Sequence, residues 1–194
     1  MNKVFKDIYI GGDWVSTRGT FPDYNPADGS VWAQAPNCDR QDAKVAVSAA
    51  QAAFPEWANL THSVRANYMN KVAEVFERRQ MEIVEAIQAE GGGWFGKGMY
   101  ETTEVPVIFR AAAGANYGAI GEVLPSDHSK FSMAVRYPLG VVSLISPWNF
   151  PAILTARGLA FIVALGNTVV LKPSEETPYI GGLLFAEIFE EAGI

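Results

Sequence analysis

A stiff polar loop follows an apolar run near the middle of the sequence. The run LGVVSLI is followed directly by Ser146–Pro151, which read SPWNFP. Because Pro147 and Pro151 each favour an extended conformation in the residue before them, the loop is stiffened at both ends. A side-chain amide held rigidly at the end of a strand can donate a hydrogen bond to an oxyanion that forms during a reaction. Asn149 is therefore a candidate catalytic residue, although the same pattern also fits a turn asparagine between two core aromatic residues.

A second polar loop, LKPSEETP, begins at the end of the apolar run TVVL. It places a cation, a hydroxyl and a carboxylate within four residues, namely Lys172, Ser174 and Glu175. Such groups can form hydrogen bonds with the hydroxyls of a ribose. They can equally be solvated loop charges and a turn serine, and spacing leaves both interpretations open. A glycine-rich G-x-G-x-x-G turn follows neither apolar run, so a dinucleotide site here needs another way of holding the pyrophosphate.

Two strands and two helices must position these loops. The pattern predicts a strand, a helix, a strand and a helix at Gly140–Ile145, Pro151–Leu165, Thr168–Leu171 and Pro178–Ala192. Continuous apolar strands are typical of a parallel sheet covered on both faces, with a right-handed crossover. Ligands bind at the carboxyl ends of such strands, so both loops are expected at one edge of the sheet. Thr177 and Pro178 have the residue types of a helix N-cap and first position.

The first half of the chain predicts short strands followed by helices. The segments DIYI and DWVS flank Gly11-Gly12, which indicates a hairpin, and the NPADGS turn leads into the strand VWAQAP. Asp39 is a predicted N-cap. The helical stretches that follow are Ala43 to Phe54, which is expected to stop at Pro55; Ser63 to the Gly91–Gly93 run; and Lys97 to Tyr117, which Pro106 is expected to kink or split.

A two-stranded excursion, Gly121–Pro138, separates these helices from the strand and helix units. Its apolar side chains are Val123, Phe131, Met133 and Val135. Because an isolated two-stranded ribbon is marginal in water, these side chains need cover, which a partner subunit can provide.

Composition excludes several classes of function. A net charge of -6 without a basic cluster argues against a nucleic-acid partner. The two histidines, His62 and His128, have no metal-ligand spacing, so we predict no metal site. Cys38 is the only cysteine, which suits a reducing cytoplasm. No stretch is apolar enough for a membrane span or a signal peptide, and we expect a cytosolic protein without a membrane partner.

The motif SPWNFP, followed by GNTVVLKPSEETP, resembles the NAD(P)-dependent aldehyde dehydrogenase superfamily. The resemblance covers essentially the whole chain, through the GGDWV opening, the NPADG turn, the helix that contains Arg65, the YPLGVV run and the final EEAGI. Members that oxidise aromatic aldehydes, such as benzaldehyde, vanillin or salicylaldehyde dehydrogenases, are the most similar, through KFSMAVRYPLGVV and Arg157. The chain resembles the N-terminal portion of such an enzyme.

The resemblance implies a role for each loop. Asn149 resembles the amide that, with a backbone N–H at the nucleophile, stabilises the oxyanion of a thiohemiacetal. Ser146, Pro147 and Trp148, together with Asn149, resemble residues on the nicotinamide-ribose side of the cofactor cleft, and Lys172, Ser174 and Glu175 resemble those around the adenosine ribose. Glu175 would repel a 2′-phosphate, which favours NAD, while Lys172 and Ser174 keep NADP possible.

The resemblance also implies a fold. It is an α/β fold with a Rossmann-like parallel sheet, flanking helices and a protruding β-hairpin, without the usual glycine fingerprint. Residues 1–120 and 139–194 would form a partial NAD(P)-binding domain. Residues 121–138 would form the hairpin that pairs with a neighbouring subunit in a homo-oligomer.

The family's catalytic domain is expected to be absent from this chain. The family has its nucleophile in a G-Q-x-C segment and its general base in an E-L-G-G-K segment, and the sequence contains neither. Cys38 lies in a scaffold region and is not expected to be catalytic. The chain by itself is therefore predicted to be inactive and, with exposed strand edges, to self-associate.

Five residues are candidates for lining a channel through which the aldehyde would reach the site. Ile153, Leu154 and Arg157 follow helical spacing and are predicted to share a face toward a substrate channel, with Phe150 and Trp94 as further candidates. Arg157 can instead form a structural ion pair. Two other functions stay open: a noncatalytic nucleotide-binding or oligomerisation module, and a different α/β enzyme in which Lys172 or Glu175 is catalytic.

Overall fold

Five short strands form two small sheets at the start of the chain. The computed structural model describes residues 3–194, so Met1 and Asn2, the start of the predicted domain, lie outside the described residues. The strands are β1 (Lys3–Val4), β2 (Asp7–Ile10), β3 (Asp13–Ser16), β4 (Thr20–Tyr24) and β5 (Val31–Pro36). The strand order in one sheet is β1-β5-β4, and β2 pairs with β3. The predicted hairpin is confirmed, since Gly11 and Gly12 turn the chain at φ values of 65° and 94°.

The helix predicted to stop at Pro55 continues past it. Helix α1 spans Arg40–Asn59 and begins at Asp39, whose side chain forms a capping box with Asp42, as an N-cap there predicts. Proline removes one hydrogen bond from a helix, but tertiary contacts beyond it can compensate. Here Trp57 Nε1 donates to the carbonyl of Val163 at 2.9 Å, which fixes the last turn of α1 against a later helix.

The apolar stretch predicted as one helix is two helices. They are α2 (His62–Arg78) and α3 (Gln80–Gly91), and the chain leaves helical geometry at Arg79, with φ −90° and ψ 10°. The guanidinium of Arg79 bonds both Glu82, at 3.0 Å, and Glu187, at 2.7 Å. This pairing holds the break in place, and the sequence pattern alone contains no sign of it.

The fourth helix is not split at Pro106, where a split or a kink was predicted. Helix α4 spans Phe95–Ala115 without interruption, with Pro106 inside it. Val105, Pro106 and Phe109 are buried in the core, so packing against neighbouring helices compensates for the lost backbone hydrogen bond.

The predicted strand–helix–strand–helix order is confirmed after residue 140. Strand β8 (Val141–Ile145) pairs in parallel with β9 (Thr168–Lys172), and α5 (Pro151–Ala164) connects them. A π-helical turn (Tyr179–Leu183) then leads into α6 (Leu184–Ala192). The predicted Thr177 cap is wrong: the buried Thr177 hydroxyl has no hydrogen-bond partner among the described residues.

The core lies between the helices. Phe76 of α2, Phe109 of α4 and Phe185 of α6 are buried, and the ring centroids of Phe76 and Phe109 lie 5.6 Å and 6.5 Å from that of Phe185. Both α1 and α5 pack against β8 and β9. The second strand and helix unit is thereby fixed to the helical layer that precedes it.

The segment 121–138 forms the predicted ribbon. Strands β6 (Gly121–Leu124) and β7 (Ser132–Val135) are antiparallel and pair with each other. Val123 is 67% exposed and Phe131 is 74% exposed. The apolar surface predicted from the sequence is therefore present on this ribbon.

Candidate functional site

Parallel pairing brings the two polar loops to one edge of the sheet. Ile145 lies opposite Lys172 in the register of β8 and β9. The pairing extends one step further, because the backbone N–H of Ser146 donates to the carbonyl of Lys172 at 3.2 Å. The loops 146–150 and 172–178 thus leave the sheet side by side at its carboxyl edge, as the strand pattern predicts.

The loop 146–150 is open to solvent except at its first residue. Pro147, Trp148 and Asn149 are exposed, with Trp148 61% exposed. Ser146 is buried, and its hydroxyl has no hydrogen-bond partner among residues 3–194. An exposed amide and an unpartnered buried hydroxyl thus lie within one segment of four residues.

Helix α4 holds the end of this loop. One carboxylate oxygen of Glu101 accepts from the backbone N–H groups of Ala152 and Ile153, at 3.0 Å and 3.3 Å. The ammonium of Lys97 lies 4.9 Å from the centre of the Phe150 ring, and the Tyr100 ring meets the same ring edge-on at 6.4 Å. Phe150 is therefore fixed between α4 and α5.

The loop 172–178 carries an exposed ion pair between its first residue, Lys172, and Glu175. Lys172 Nζ lies 3.3 Å from Glu175 Oε2, and both side chains are exposed. A hydrogen bond from its own backbone amide, and then one from Lys172, hold the pKa of Glu175 below its usual value. Ser174 is buried, and its hydroxyl accepts from the backbone N–H of Glu176 at 3.3 Å. Glu175 is thus a charged acceptor on the surface of the loop.

A buried glutamate from another helix accepts hydrogen bonds from the first backbone N–H groups of the helical segment that follows this loop. The carboxylate of Glu90, on α3, accepts from the backbone N–H groups of Tyr179 at 2.6 Å and of Ile180 at 2.8 Å. Sequence reasoning missed both Glu90 and Glu101. The signal was available, because Glu90 continues the buried helical spacing of Ile83 and Ile87, where a charge is unexpected without a partner.

A second carboxyl group lies beside Glu90. Asp23, on β4, is buried, and its Oδ2 has no donor among the hydrogen bonds of residues 3–194. Burial raises the pKa of Asp23 to about 6. Burial first, and then the nearby Asp23, raise the pKa of Glu90 well above its usual value. A proton held by one of the two carboxyl groups avoids placing two negative charges side by side in a buried site.

This pair predicts a pH dependence of stability. Both pKa values are higher in the folded than in the unfolded chain, so the folded state binds more protons above about pH 4. The free energy of unfolding should therefore fall as pH rises from about 4 through about 6, the value for Asp23. Urea unfolding between these pH values should show a smaller decline for Asp23→Asn.

Asp28 offers a matched control for that measurement. It is exposed, and hydrogen bonds from Ser30 lower its pKa, so Asp28→Asn should keep the decline. Equal slopes for Asp23→Asn and the unchanged chain would show that the pair does not hold this proton.

Of the predicted channel residues, Trp94, Phe150 and Arg157 are exposed, whereas Ile153 is buried and Leu154 is half-buried. Trp94 is 75% exposed at the start of α4, and its ring folds over Gly96, where a Cβ atom would collide with it. Arg157 is exposed and forms no ion pair with residues 3–194, so a structural ion pair does not explain it. The prediction that Ile153 shares its face is wrong, because Ile153 is 2% exposed and points into the core.

The remaining features of the chain do not add a nucleophile, a metal site or a glycine-rich phosphate loop within the described residues. Partial burial, and then Asp42 and Asp39, raise the pKa of the Cys38 thiol, which keeps it protonated. Between Lys3 and Ile194, no three His, Cys, Asp or Glu side chains are grouped so that they could hold a metal ion. Within the same range, no helix is both long and apolar enough to cross a membrane. The letters of Gly91–Gly96 match G-x-G-x-x-G, but they join two helices and follow no strand.

Known proteins resemble this chain in both sequence and structure. Residues 14–194 match the family model described as the aldehyde dehydrogenase family. A vanillin dehydrogenase from a Pseudomonas species is 40% identical over 192 residues, which are 96% of this chain and 39% of that protein.

Solved structures of aldehyde dehydrogenases also match nearly all of this chain but less than half of their own length. A NAD-dependent benzaldehyde dehydrogenase from Corynebacterium glutamicum superposes with a TM-score of 0.93 at 36% identity, over 97% of this chain and 42% of that one. A salicylaldehyde dehydrogenase from Pseudomonas putida G7, complexed with salicylaldehyde, gives a TM-score of 0.94 at 31% identity, over 100% and 40%. The chain therefore spans about two fifths of the length of these relatives, and its fold matches their N-terminal part.

Proposed function

The chain belongs to the aldehyde dehydrogenase family, and on that premise we propose that it forms part of an enzyme that oxidises an aldehyde to the carboxylic acid with NAD⁺ or NADP⁺. One observation supports this most directly. The parallel pairing of β8 with β9 puts the Asn149 loop and the Lys172–Glu175 loop at the same carboxyl edge. An oxyanion donor and a ribose-binding group need that proximity if they serve one dinucleotide and one substrate.

Asn149 supplies the amide that stabilises the oxyanion. When a thiolate attacks the aldehyde carbon, negative charge develops on the carbonyl oxygen in the thiohemiacetal, and a preorganised N–H donor lowers the barrier. The exposed Asn149 side chain is free to donate, because no hydrogen bond to residues 3–194 occupies it. The thiolate belongs to the rest of the enzyme, since the one cysteine of the chain, Cys38, has a raised pKa. The chain alone is therefore proposed to be inactive.

The residues of both loops fit a nicotinamide dinucleotide. The unpartnered Ser146 hydroxyl lies with Pro147 and Trp148 beside Asn149, and we assign these residues to the nicotinamide-ribose side. Lys172, Ser174 and Glu175 are assigned to the adenosine ribose. The cofactor, when bound, accepts the hydride from the substrate. We propose residues 1–120 and 139–194 as the partial cofactor-binding domain, and a cytoplasmic enzyme because the single cysteine suits a reducing compartment.

Glu175 should decide between the two cofactors. Its carboxylate can accept from ribose hydroxyls and repels a 2′-phosphate, while its ion pair occupies Lys172. Glu175→Gln should weaken NAD⁺ binding about fivefold to tenfold and should strengthen NADP⁺ binding, because Lys172 becomes available to the phosphate. Calorimetric titration of the chain with each cofactor measures both changes. The neighbouring exposed Glu176→Gln is the control, and an unchanged NAD⁺/NADP⁺ ratio for Glu175→Gln would contradict the assignment.

The ribbon 121–138 is proposed to pair with a second subunit. Its exposed apolar side chains would be covered there. Substituting Val123, Phe131 and Met133 together by serine should shift the chain toward the monomer in sedimentation velocity. Met81→Ser, which removes an equally exposed apolar side chain from α3, should leave the distribution unchanged. A monomeric unsubstituted chain at high concentration would overturn this proposal.

An aromatic aldehyde is the proposed substrate. Phe150, in the loop, and Trp94, at the start of α4, are partly and largely exposed aromatic residues, and Arg157 is an exposed cation on the helix that follows the loop. Aromatic rings bind apolar ring faces, and Arg can bind a polar ring substituent. The relatives named above act on vanillin, benzaldehyde and salicylaldehyde by their names, which supports the same class here.

A further inference from the structure

Helix α5 has no N-cap side chain of its own. Its cap position is Phe150, which cannot accept a hydrogen bond, and Pro151 occupies the first helical position. The backbone N–H groups of the second and third positions, Ala152 and Ile153, would therefore lack acceptors inside the protein. Glu101 of α4 supplies the missing acceptor, with one oxygen at 3.0 Å and 3.3 Å from these two nitrogens. A side chain from another helix thus takes the place of an N-cap.

The negative charge of Glu101 is buried and neutralised locally. Its side chain is 0% exposed, and its other oxygen lies 2.5 Å from Lys97 Nζ, one helical turn away. The same ammonium group lies 4.9 Å from the centre of the Phe150 ring. A buried carboxylate is stable when an opposite charge and hydrogen-bond donors surround it, and the N-terminus of a helix adds a favourable dipole. Lys97 and Glu101 therefore act together on residues 150, 152 and 153.

We propose that Glu101, paired with Lys97, is the positioning residue for the Asn149 amide. This inference rests on the proposed function, in which Asn149 is the oxyanion donor. Asn149 lies directly before Phe150, and the other end of its loop is held by the bond from Ser146 to Lys172. If Glu101 is lost, the first turn of α5 frays, Phe150 moves, and only the β8 end of the loop stays fixed. A displacement of about 1 Å at a catalytic group can cost about 100-fold in rate.

Glu90 provides a matched comparison within the same chain. It is also a buried glutamate that accepts from two consecutive backbone N–H groups at the start of a helix. However, it holds the loop 172–178, not the loop 146–150. A general loss of stability from removing a buried carboxylate should thus be shared by Glu90→Gln and Glu101→Gln, whereas an effect on Asn149 should be specific to Glu101.

The test uses the chain labelled with ¹⁵N. In Glu101→Gln, we expect faster hydrogen exchange at Ala152 and Ile153, by about tenfold or more, and narrower, shifted signals from the Asn149 side-chain NH₂. Glu90→Gln should change exchange at Tyr179 and Ile180 and leave the Asn149 signals in place. If Glu101→Gln does not fold, Glu101→Asp serves instead, because it keeps the buried carboxylate and the partner charge of Lys97 but shortens the side chain that reaches Ala152 and Ile153. Unchanged Asn149 signals in the folded variant would overturn the inference.

Steady-state kinetics distinguishes a failure of this inference from a failure of the proposed function. In an active enzyme that carries these residues, Glu101→Gln should lower kcat about tenfold to 100-fold with little change in KM for the aldehyde, because the lost interaction acts in the transition state. If the Asn149 signals move while kcat stays constant, the positioning is real and the oxyanion role of Asn149 fails. If neither the signals nor kcat change, the positioning role fails.

Discussion

Replacing Asn149 by alanine lowers kcat for aldehyde oxidation by about 100- to 1,000-fold in an active enzyme that carries this chain, as expected for the loss of one oxyanion donor. The change removes the amide and leaves the loop intact, because Asn149 is exposed and its side chain forms no hydrogen bond with residues 3–194. KM should change much less than kcat, since the amide acts mainly on charge that develops in the transition state. Steady-state kinetics with an aromatic aldehyde measures both quantities.

Asn59 is the matched control for this substitution. It is an exposed asparagine at the end of α1 and touches neither loop, so Asn59→Ala should leave kcat unchanged. Equal binding of NAD⁺ by the Asn149→Ala chain and the unsubstituted chain would show that the cofactor site is intact. A kcat within about threefold of the original enzyme would exclude Asn149 as an oxyanion donor.

Replacing Phe185 by alanine should be the most destabilising single change in the core. Phe185 is 1% exposed, and its ring packs against those of Phe76 and Phe109, so α2, α4 and α6 all lose contacts. Truncating a buried phenylalanine costs about 3–5 kcal/mol, which includes the cavity left behind. Urea unfolding followed by circular dichroism should show this as a lower midpoint with an unchanged slope.

Phe95 tests whether burial causes the loss. It lies at the start of α4 and is 52% exposed, so Phe95→Ala should cost under about 1 kcal/mol. A similar cost for the two variants would mean that the aromatic cluster does not hold the helices together.

The sequence alone determined many of the local elements and the position of the two candidate loops. The apolar runs LGVVSLI and TVVL predicted β8 and β9, and Asp39 marked the start of α1 because its side chain can cap a helix. SPWNFP and LKPSEETP were predicted to form the site because their residue types differ from the apolar strands before them. These features depend on interactions within a few residues, which a local pattern contains.

Only the tertiary structure decided how the loops are held. Glu90 and Glu101 are distant in sequence from the N–H groups that they bind, 89 residues in one case and 51 in the other. The continuation of α1 past Pro55 likewise depends on Trp57 reaching Val163. A hydrogen bond between distant segments produces no periodic pattern in the sequence. Its contribution to the free energy of folding depends on which groups the fold buries together. The buried charges that fix the candidate site therefore became visible only when the helices were packed.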